Sequence, residues 1–208
     1  MNDDMMMNSD LIELDELNRD EVMGRVREVI TMGGLVIIPT DTVYGISADY
    51  FSAEARERVM DVKKRPEEKG FIVLVGSKDQ VKDFAREELP DDALKLLPGA
   101  LTLVMNNKYS YLYGEESIAV RMPGDPAVRE MLERVGRPVV STSANISGDE
   151  GLNDRESLVK VFGGKVELIV TEEKRKVGKP STVLDIRKRP YEVLRQGEFE
   201  VPQELLAI

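Results

Sequence analysis

The chain has 208 residues, 41% of them hydrophobic, and a formal net charge of −10 at pH 7, which allows one large domain or two small ones and does not suggest a general nucleic-acid coat. The sequence contains no Cys, which excludes disulfides, thiolate nucleophiles and Cys-bound zinc, and no His, which excludes a Ser-His-Asp hydrolase. Phosphoryl and nucleotidyl transfer remain compatible with this composition, because positioning and charge stabilisation do most of the work in those reactions.

The N-terminal segment 1–14 is acidic and rich in Met, and it lacks the basic and apolar regions of a signal peptide, so we expect a frayed tail. No stretch of the chain approaches the roughly 20 apolar residues that a membrane span needs. The lack of Cys is compatible with a reducing cytosol, and we expect a cytoplasmic protein.

Helical and strand patterns alternate along the rest of the chain. Asn18 and Glu21 form a start that resembles a capping box, and Asp125 caps a later helix that has Pro126 at its first position. In chain order the patterns predict a helix that ends at Gly33-Gly34, a strand over 35–39, a helix over 52–64, a strand over 71–75, a helix from 77, a short helix over 91–97, strands over 101–105 and 118–122, a helix over 125–135, a strand over 139–141, a helix over 154–162, and strands over 166–170, 182–186 and 191–194.

The order of these elements predicts the class of fold. Helices alternate with strands at first, but the last strands follow one another through short turns, which indicates a mixed sheet. The sequence therefore predicts an α/β protein with a single domain over 15–201, in which helices flank the sheet, and a short C-terminal tail over 202–208.

Three segments place small polar residues at the ends of predicted strands: Pro39–Gly45, Ser141–Asn145 and Pro180–Thr182. Ligands of open α/β sheets sit at the carboxyl ends of strands, and hydroxyl and amide groups suit a ligand rich in acceptor oxygens. Turn chemistry explains each segment taken singly. Their joint placement favours a binding site.

Each group of candidate cations has two interpretations. Lys63 and Arg65 end a predicted helix. Cations at this position commonly do no more than stabilise the helix terminus; the alternative is that both side chains reach phosphate groups. Arg121 lies in the apolar strand 118–122, either as a solvated strand residue or as a clamp for a carboxylate. Neither a Walker loop nor a G-x-G-x-x-G motif occurs, so a nucleotide site must be built in another way.

Seven ordered segments resemble the YrdC/TsaC family, the threonylcarbamoyl-AMP synthases that begin the t6A modification of tRNA. The match covers nearly the whole chain and corresponds to the short form of the family. The segments are Gly-Gly-Leu-Val-Ile-Ile-Pro-Thr-Asp-Thr-Val-Tyr-Gly (33–45), Lys-Lys-Arg-Pro-Glu-Glu-Lys-Gly (63–70), Leu-Pro-Gly-Ala-Leu-Thr (97–102), Ile-Ala-Val-Arg-Met-Pro (118–123), Ser-Thr-Ser-Ala-Asn-Ile-Ser-Gly (141–148), Pro-Ser-Thr-Val-Leu-Asp (180–185) and Leu-Arg-Gln-Gly (194–197).

The resemblance implies a YrdC-like fold, a twisted mixed sheet around a large basic cleft, and a reaction of ATP, L-threonine and bicarbonate assisted by Mg²⁺. It implies no metal-ligating residue of the protein. The family's phosphate-binding tetrad matches four residues that we expect to be catalytic: Lys63, Arg65, Ser143 and Asn145. The resemblance assigns ATP to this tetrad and to Thr102 and Arg195, and it assigns L-threonine to Thr40, Arg121, Ser141 and Ser181.

The chain departs from the family pattern at Ala100, where many relatives have proline, and at Phe71, where leucine is usual. Neither change removes a polar group.

The resemblance also implies a separate complex that transfers the threonylcarbamoyl group to tRNA. Two alternatives stay open, namely a non-catalytic protein of the same fold that binds double-stranded RNA or tRNA, and a carbamoyl-adenylate enzyme with another acceptor. Segments 114–116 and 171–180 are the candidates for mobile loops over a cleft.

Overall fold

Ten strands form one sheet in the computed structural model, which describes residues 9–64, 70–146, 151–173 and 178–207. Seven α-helices and one 3₁₀ helix connect or flank the strands within these ranges. The strands are β1 (Asp10–Glu13), β2 (Val36–Ile38), β3 (Gly45–Asp49), β4 (Ile72–Leu74), β5 (Leu101–Asn106), β6 (Ser117–Arg121), β7 (Val139–Ser143), β8 (Leu168–Thr171), β9 (Thr182–Asp185) and β10 (Glu192–Arg195).

The helices occupy the connections between these strands, and the 3₁₀ helix Gln203–Leu205 follows the last one. They are α1 (Arg19–Thr31), α2 (Ala53–Lys63), α3 (Lys78–Phe84), α4 (Asp91–Lys95), α5 (Ser110–Tyr113), α6 (Pro126–Val135) and α7 (Arg155–Phe162). None of the helices in the described ranges combines the length and the apolar character that crossing a membrane requires.

The strand order in the sheet is β1-β8-β2-β3-β7-β4-β6-β5-β9-β10. Parallel pairs (β1 with β8, β2 with β8, β4 with β6, β5 with β9) coexist with antiparallel pairs such as β3 with β7 and β5 with β6. The predicted mixed sheet is therefore confirmed. The register places Ser47 beside Ser141 and Ser141 beside Ile72, so that residues distant in sequence share one face of the sheet.

Apolar side chains pack against both faces of this sheet. Val36 and Ile38 of β2 belong to the cluster that α1 and α6 cover, whereas Ile37 belongs to the larger cluster on the other face. This alternation follows from the two-residue period of a strand. Helices α2, α3, α4 and α7 contribute to the larger cluster. The helices thus flank the sheet, as the sequence predicts.

Most predicted helix starts are confirmed by their caps. The Ser52 hydroxyl accepts from the Ala55 N–H at the start of α2, Ser77 and Gln80 form a capping box on α3, and Asp125 caps α6. The capping-box interpretation of Asn18 is wrong. Its side chain makes no capping bond, because its oxygen accepts from the Asp15 N–H and its amide donates to the Glu13 carbonyl.

Three short elements differ from the sequence prediction. The expected frayed tail 1–14 contains strand β1, which pairs in parallel with β8. Strand β3 and the four-residue helix α5 occupy stretches for which no regular structure is predicted from the sequence. Of these, β3 matters most for function, because it lies between β2 and β7 and supplies residues beside the polar strand ends.

Candidate functional site

A cleft of about 400 Å³ lies on the face of the sheet and brings the polar strand ends together. Ile72 and Leu74 line it along one side of β4, since alternate residues of a strand face the same way, and Gly70 lines it just before that strand. Of the predicted site residues, seven line this cleft directly: Thr40, Arg121, Ser141, Ser143, Asn145, Ser181 and Arg195.

Lys63 lies at one end of the cleft, where α2 stops. Its side chain is buried, with 2% of the residue exposed. The ammonium group donates to the Ser143 carbonyl and to the Asn145 side-chain oxygen (2.6 Å), and the Ser143 hydroxyl donates to that same oxygen (2.8 Å). The structure therefore brings together three members of the predicted tetrad around one positive charge.

The end of α2 explains how Lys63 reaches that position. Lys64 has a φ of 51°, the left-handed conformation that commonly ends a helix, so the chain turns away directly after Lys63. Arg65, the fourth member of the predicted tetrad, lies outside the described residues. Its assignment to the nucleotide phosphates stays a prediction.

Arg121 lies at the end of β6 with its guanidinium group buried, and 4% of the residue is exposed. Its Nη2 donates to Asp41 Oδ1 and its Nη1 to Thr42 Oγ1, both at 2.6 Å, while Nε donates to the Gly99 carbonyl at 3.2 Å. Burial lowers the pKa of Arg121, and the adjacent Asp41 carboxylate acts in the opposite direction. Arg121 is thus a buried, oriented cation, not a solvated strand residue.

Thr40 belongs to the short loop between β2 and β3. Its hydroxyl donates to the Val43 carbonyl (2.7 Å) and accepts from the Thr42 N–H (3.2 Å). The hydroxyl of Thr42 lies 3.1 Å from that of Thr40 and also receives the bond from Arg121. The loop therefore connects Thr40 to Arg121 through two hydroxyl groups.

Ser141 of β7 faces the same cleft next to β3. The Ser47 hydroxyl donates to Ser141 Oγ at 3.2 Å. Gly45 makes room for this group, because a Cβ at that position would stand 2.4 Å from Ser141 Oγ. Neither Gly45 nor Ser47 is predicted as a site residue from the sequence, although the alternation of Ile46 and Ala48 with Gly45 and Ser47 is a strand signal that could have found them.

Ser181 forms the wall of the cleft at the start of β9. Its hydroxyl lies 2.8 Å from that of Thr102, and Arg195 donates to its carbonyl (2.8 Å) and its hydroxyl (3.2 Å). Thr102 is fully buried behind Ser181, so it acts on the cleft through that residue in this structure. The contact of Thr102 with ATP that the resemblance implies stays a prediction.

The arrangement has a clear chemical character. The buried ammonium group of Lys63 lies beside the cleft, the buried guanidinium group of Arg121 lines it, and six side chains with hydroxyl groups line it as well. Charge-assisted hydrogen bonds of this kind suit two anionic groups, such as a phosphate and a carboxylate. The fold and the cleft together define an α/β protein with a mixed sheet and a cleft that is its candidate ligand site.

Comparison with known proteins identifies the family. The model of the Sua5/YciO/YrdC family, which carries the description telomere recombination, matches residues 28–197. The chain therefore belongs to this family, and the resemblance noted from its sequence motifs is confirmed.

Individual relatives agree with this placement. The threonylcarbamoyl-AMP synthase of Pyrococcus abyssi is 34% identical over 182 residues, which make up 84% of this chain and 52% of the relative. The chain thus spans about half the length of that protein. The structure of P. abyssi Sua5 complexed with L-threonine has a TM-score of 0.82 and 31% identity, over 90% of this chain and 57% of that one. YciO of E. coli, with a TM-score of 0.78 and 24% identity over 90% and 94% of the two chains, shares the fold.

Proposed function

We propose that this chain is a threonylcarbamoyl-AMP synthase, which forms L-threonylcarbamoyladenylate and pyrophosphate from ATP, L-threonine and bicarbonate. The observation that supports this most is a pair of buried cations at one cleft. Lys63 bonds to Asn145 beside the cleft, and Arg121, which lines it, bonds to Thr42. The relative of P. abyssi that carries this name adds support, although it is about twice as long.

The amino-acid end of the cleft would bind L-threonine. Arg121 would receive the carboxylate, because a guanidinium group matches the two oxygens of a carboxylate. The hydroxyl groups of Thr40, Ser141 and Ser181 would form hydrogen bonds with the remaining polar atoms of L-threonine. The P. abyssi Sua5 protein forms a complex with L-threonine, which supports this assignment.

The reaction would then proceed in two steps. The ammonium group of threonine first loses a proton to bulk water. The neutral amine then takes up the carbon of bicarbonate with loss of water and becomes an N-carboxylate. An oxygen of that anion attacks the α-phosphorus of ATP, and the bond to the β-phosphate breaks to release pyrophosphate. The nucleophile is already an anion at this step, so no protein base is needed, in agreement with a chain that has no His.

Lys63, Ser143 and Asn145 would stabilise the charge that develops on the phosphates. In the structure these groups bond to one another, so binding of ATP would exchange some of these bonds for bonds to phosphate oxygens. Arg65 and Arg195 would add positive charge on the ATP side. Thr102, whose hydroxyl bonds to that of Ser181, would support the amino-acid side.

The cofactor and partners are part of the same proposal. The described ranges contain no group of three or more Asp, Glu, His or Cys side chains suited to a metal ion, so Mg²⁺ would arrive bound to ATP and offset the charge of its phosphates. A separate complex would transfer the threonylcarbamoyl group to tRNA. We propose that the protein acts in the cytoplasm.

The test is the release of pyrophosphate from ATP, with L-threonine and bicarbonate omitted in turn. We expect release only when all three substrates are present. Lys63→Ala should lower turnover at least about 100-fold, the magnitude typical for loss of an electrostatic group that stabilises a transition state. A release that ignores threonine would contradict the proposal.

Two controls separate the proposal from its alternatives. Lys82→Ala removes an exposed lysine of α3 outside the cleft and should leave turnover unchanged. The alternative predicts that neither the wild type nor any variant releases pyrophosphate. It also predicts that the wild type binds double-stranded RNA at physiological salt and that Lys63→Ala still binds it. This combination would replace the enzyme by a non-catalytic RNA-binding role.

A further inference from the structure

Asp41 belongs to the polar segment after β2 but has no role in the proposed reaction. Its side chain does not line the cleft, and it is only 18% exposed. The carboxylate instead lies behind Arg121 and forms an ion pair with it, with Nη2 and Oδ1 2.6 Å apart.

The hydrogen bonds of Arg121 define the orientation of its guanidinium group. Asp41, Thr42 and the Gly99 carbonyl each accept one of its five N–H groups. One N–H on Nη1 and one on Nη2 are left without an acceptor among the described residues. Because Arg121 lines the cleft, this pair of donors is available to a ligand, and two such donors match the two oxygens of a carboxylate.

Asp41 also fixes the backbone on the other side of Arg121. Its second oxygen, Oδ2, accepts from the Gly124 N–H at 2.7 Å. Gly124 follows β6 by three residues, and a Cβ there would stand 3.0 Å from the same oxygen, which shows how closely the two segments approach. The carboxylate therefore joins the loop after β2 to the segment that follows Arg121.

We propose that Asp41 is a positioning residue that orients Arg121 toward the carboxylate of the amino-acid substrate. The proposal rests on the assignment of Arg121 to that carboxylate in the proposed function. Asp41 acts through Arg121 and touches no reacting atom. Its loss should therefore weaken the recognition of the carboxylate selectively, and leave the phosphate end of the cleft unchanged.

The test compares the binding of L-threonine with that of L-threoninamide, in which an uncharged amide replaces the carboxylate. Calorimetry is performed on the wild type and on Asp41→Asn, which keeps an acceptor for the Gly124 N–H. We expect L-threonine to bind about tenfold more weakly to the variant, as for the loss of a charge-assisted bond, and L-threoninamide to bind as before. An equal loss of affinity for both ligands, or no loss of affinity for either, would overturn the proposal.

Kinetics provide a second readout that a merely structural role would not produce. In Asp41→Asn the KM for L-threonine should rise while the KM for ATP stays that of the wild type. Asp49→Asn is the matched control, because Asp49 is a buried carboxylate paired with Arg137 (2.7 Å) outside the cleft. It should leave both KM values unchanged.

A folding check and a second variant keep the outcomes distinct. If Asp41→Asn does not fold, as judged by circular dichroism, Asp41→Ser serves for the same comparison of ligands. If the wild type itself does not bind L-threonine, the proposed function fails, and with it the basis of this inference. If the wild type prefers L-threonine to L-threoninamide and the variants do as well, only the role of Asp41 is refuted.

Discussion

The Ser47 hydroxyl donates a hydrogen bond to Ser141, which leaves the proton of the Ser141 hydroxyl without an acceptor among the described residues. That proton is available to an oxygen of a ligand in the cleft. Ser47 is fully buried and does not line the cleft, so its effect is confined to the orientation of Ser141. Thr102 lies behind Ser181 in a similar way, since their hydroxyl groups are 2.8 Å apart and Ser181 lines the cleft.

Gly45→Ala tests how much space this arrangement needs. The new Cβ would stand 2.4 Å from Ser141 Oγ, so Ser141 or the strand must move. We expect weaker binding of L-threonine by calorimetry, and a free energy of unfolding lower by about 1–3 kcal/mol, as for an overpacked core. Chemical denaturation measures the second effect.

Gly24→Ala is the control for that substitution. Gly24 lies within α1, and no heavy atom lies within 4 Å of the position a Cβ would take. Alanine there should raise the free energy of unfolding by about 0.5–1 kcal/mol and leave the affinity for L-threonine unchanged. Binding to Gly45→Ala as tight as to the wild type would show that Ser141 has no part in the site.

At the scale of elements, the C-terminal segment crosses the start of β9 and holds Ser181 in place. Thr182 Oγ1 donates to the Phe199 carbonyl (2.6 Å) and accepts from the Gly197 N–H (2.9 Å). The Glu198 N–H donates to the Pro180 carbonyl (3.0 Å), and a Cβ at Gly197 would stand 2.1 Å from that carbonyl oxygen. Only glycine allows so close a crossing.

Thr182→Val keeps the shape of this buried side chain but removes its hydroxyl, which leaves the Gly197 N–H without this acceptor, while the Phe199 carbonyl keeps the bond from the Gln196 side chain. We expect a loss of about 1–3 kcal/mol in the free energy of unfolding and faster hydrogen exchange at the Gly197 amide. In Thr182→Ser, which keeps the hydroxyl, exchange at that amide should stay slow. Equal exchange rates in the two variants would refute the role of the hydroxyl.

Elements with strong local signals could be predicted from the sequence. Helix α6 has its cap at Asp125 and proline at its first position, as predicted, and Gly136 adopts the left-handed conformation after its end. Strand β3 has weak strand formers in Gly-Ile-Ser-Ala-Asp, and its pairing with β2 and β7 stabilises it. Strand β1 depends on β8, more than 150 residues away, so its own four residues carry little signal.

The same distinction applies to the site. The polar strand ends are visible in the sequence, and the cleft contains Thr40, Ser141, Ser143 and Ser181 together. Their roles toward ligands stay predictions. The orientation of Arg121 by Asp41 could not be predicted, because the two residues are 80 positions apart and only the folded sheet brings them within 2.6 Å.

At the scale of the whole molecule, the sequence lacks the side chains that normally titrate near neutral pH. It contains no His and no Cys. We therefore expect the free energy of unfolding to vary little between about pH 6 and pH 9. Above that range buried tyrosines become important, because burial raises the pKa of Tyr50, Tyr113 and Tyr191.

Tyr191 offers the clearest test, because burial raises its pKa to about 12 and its hydroxyl donates to Asp92 Oδ1 at 2.8 Å. A raised pKa in the folded state means that its contribution to stability is complete below about pH 10 and is lost as the pH rises toward 12. Tyr191→Phe should therefore be about 1 kcal/mol less stable than the wild type at pH 7, and this difference should shrink between about pH 10 and pH 12, as measured by chemical denaturation. Tyr111→Phe, at a side chain that is 77% exposed, is the control and should follow the wild-type curve. A constant difference between Tyr191→Phe and the wild type across this range would show that Tyr191 ionises equally in the folded and unfolded chains.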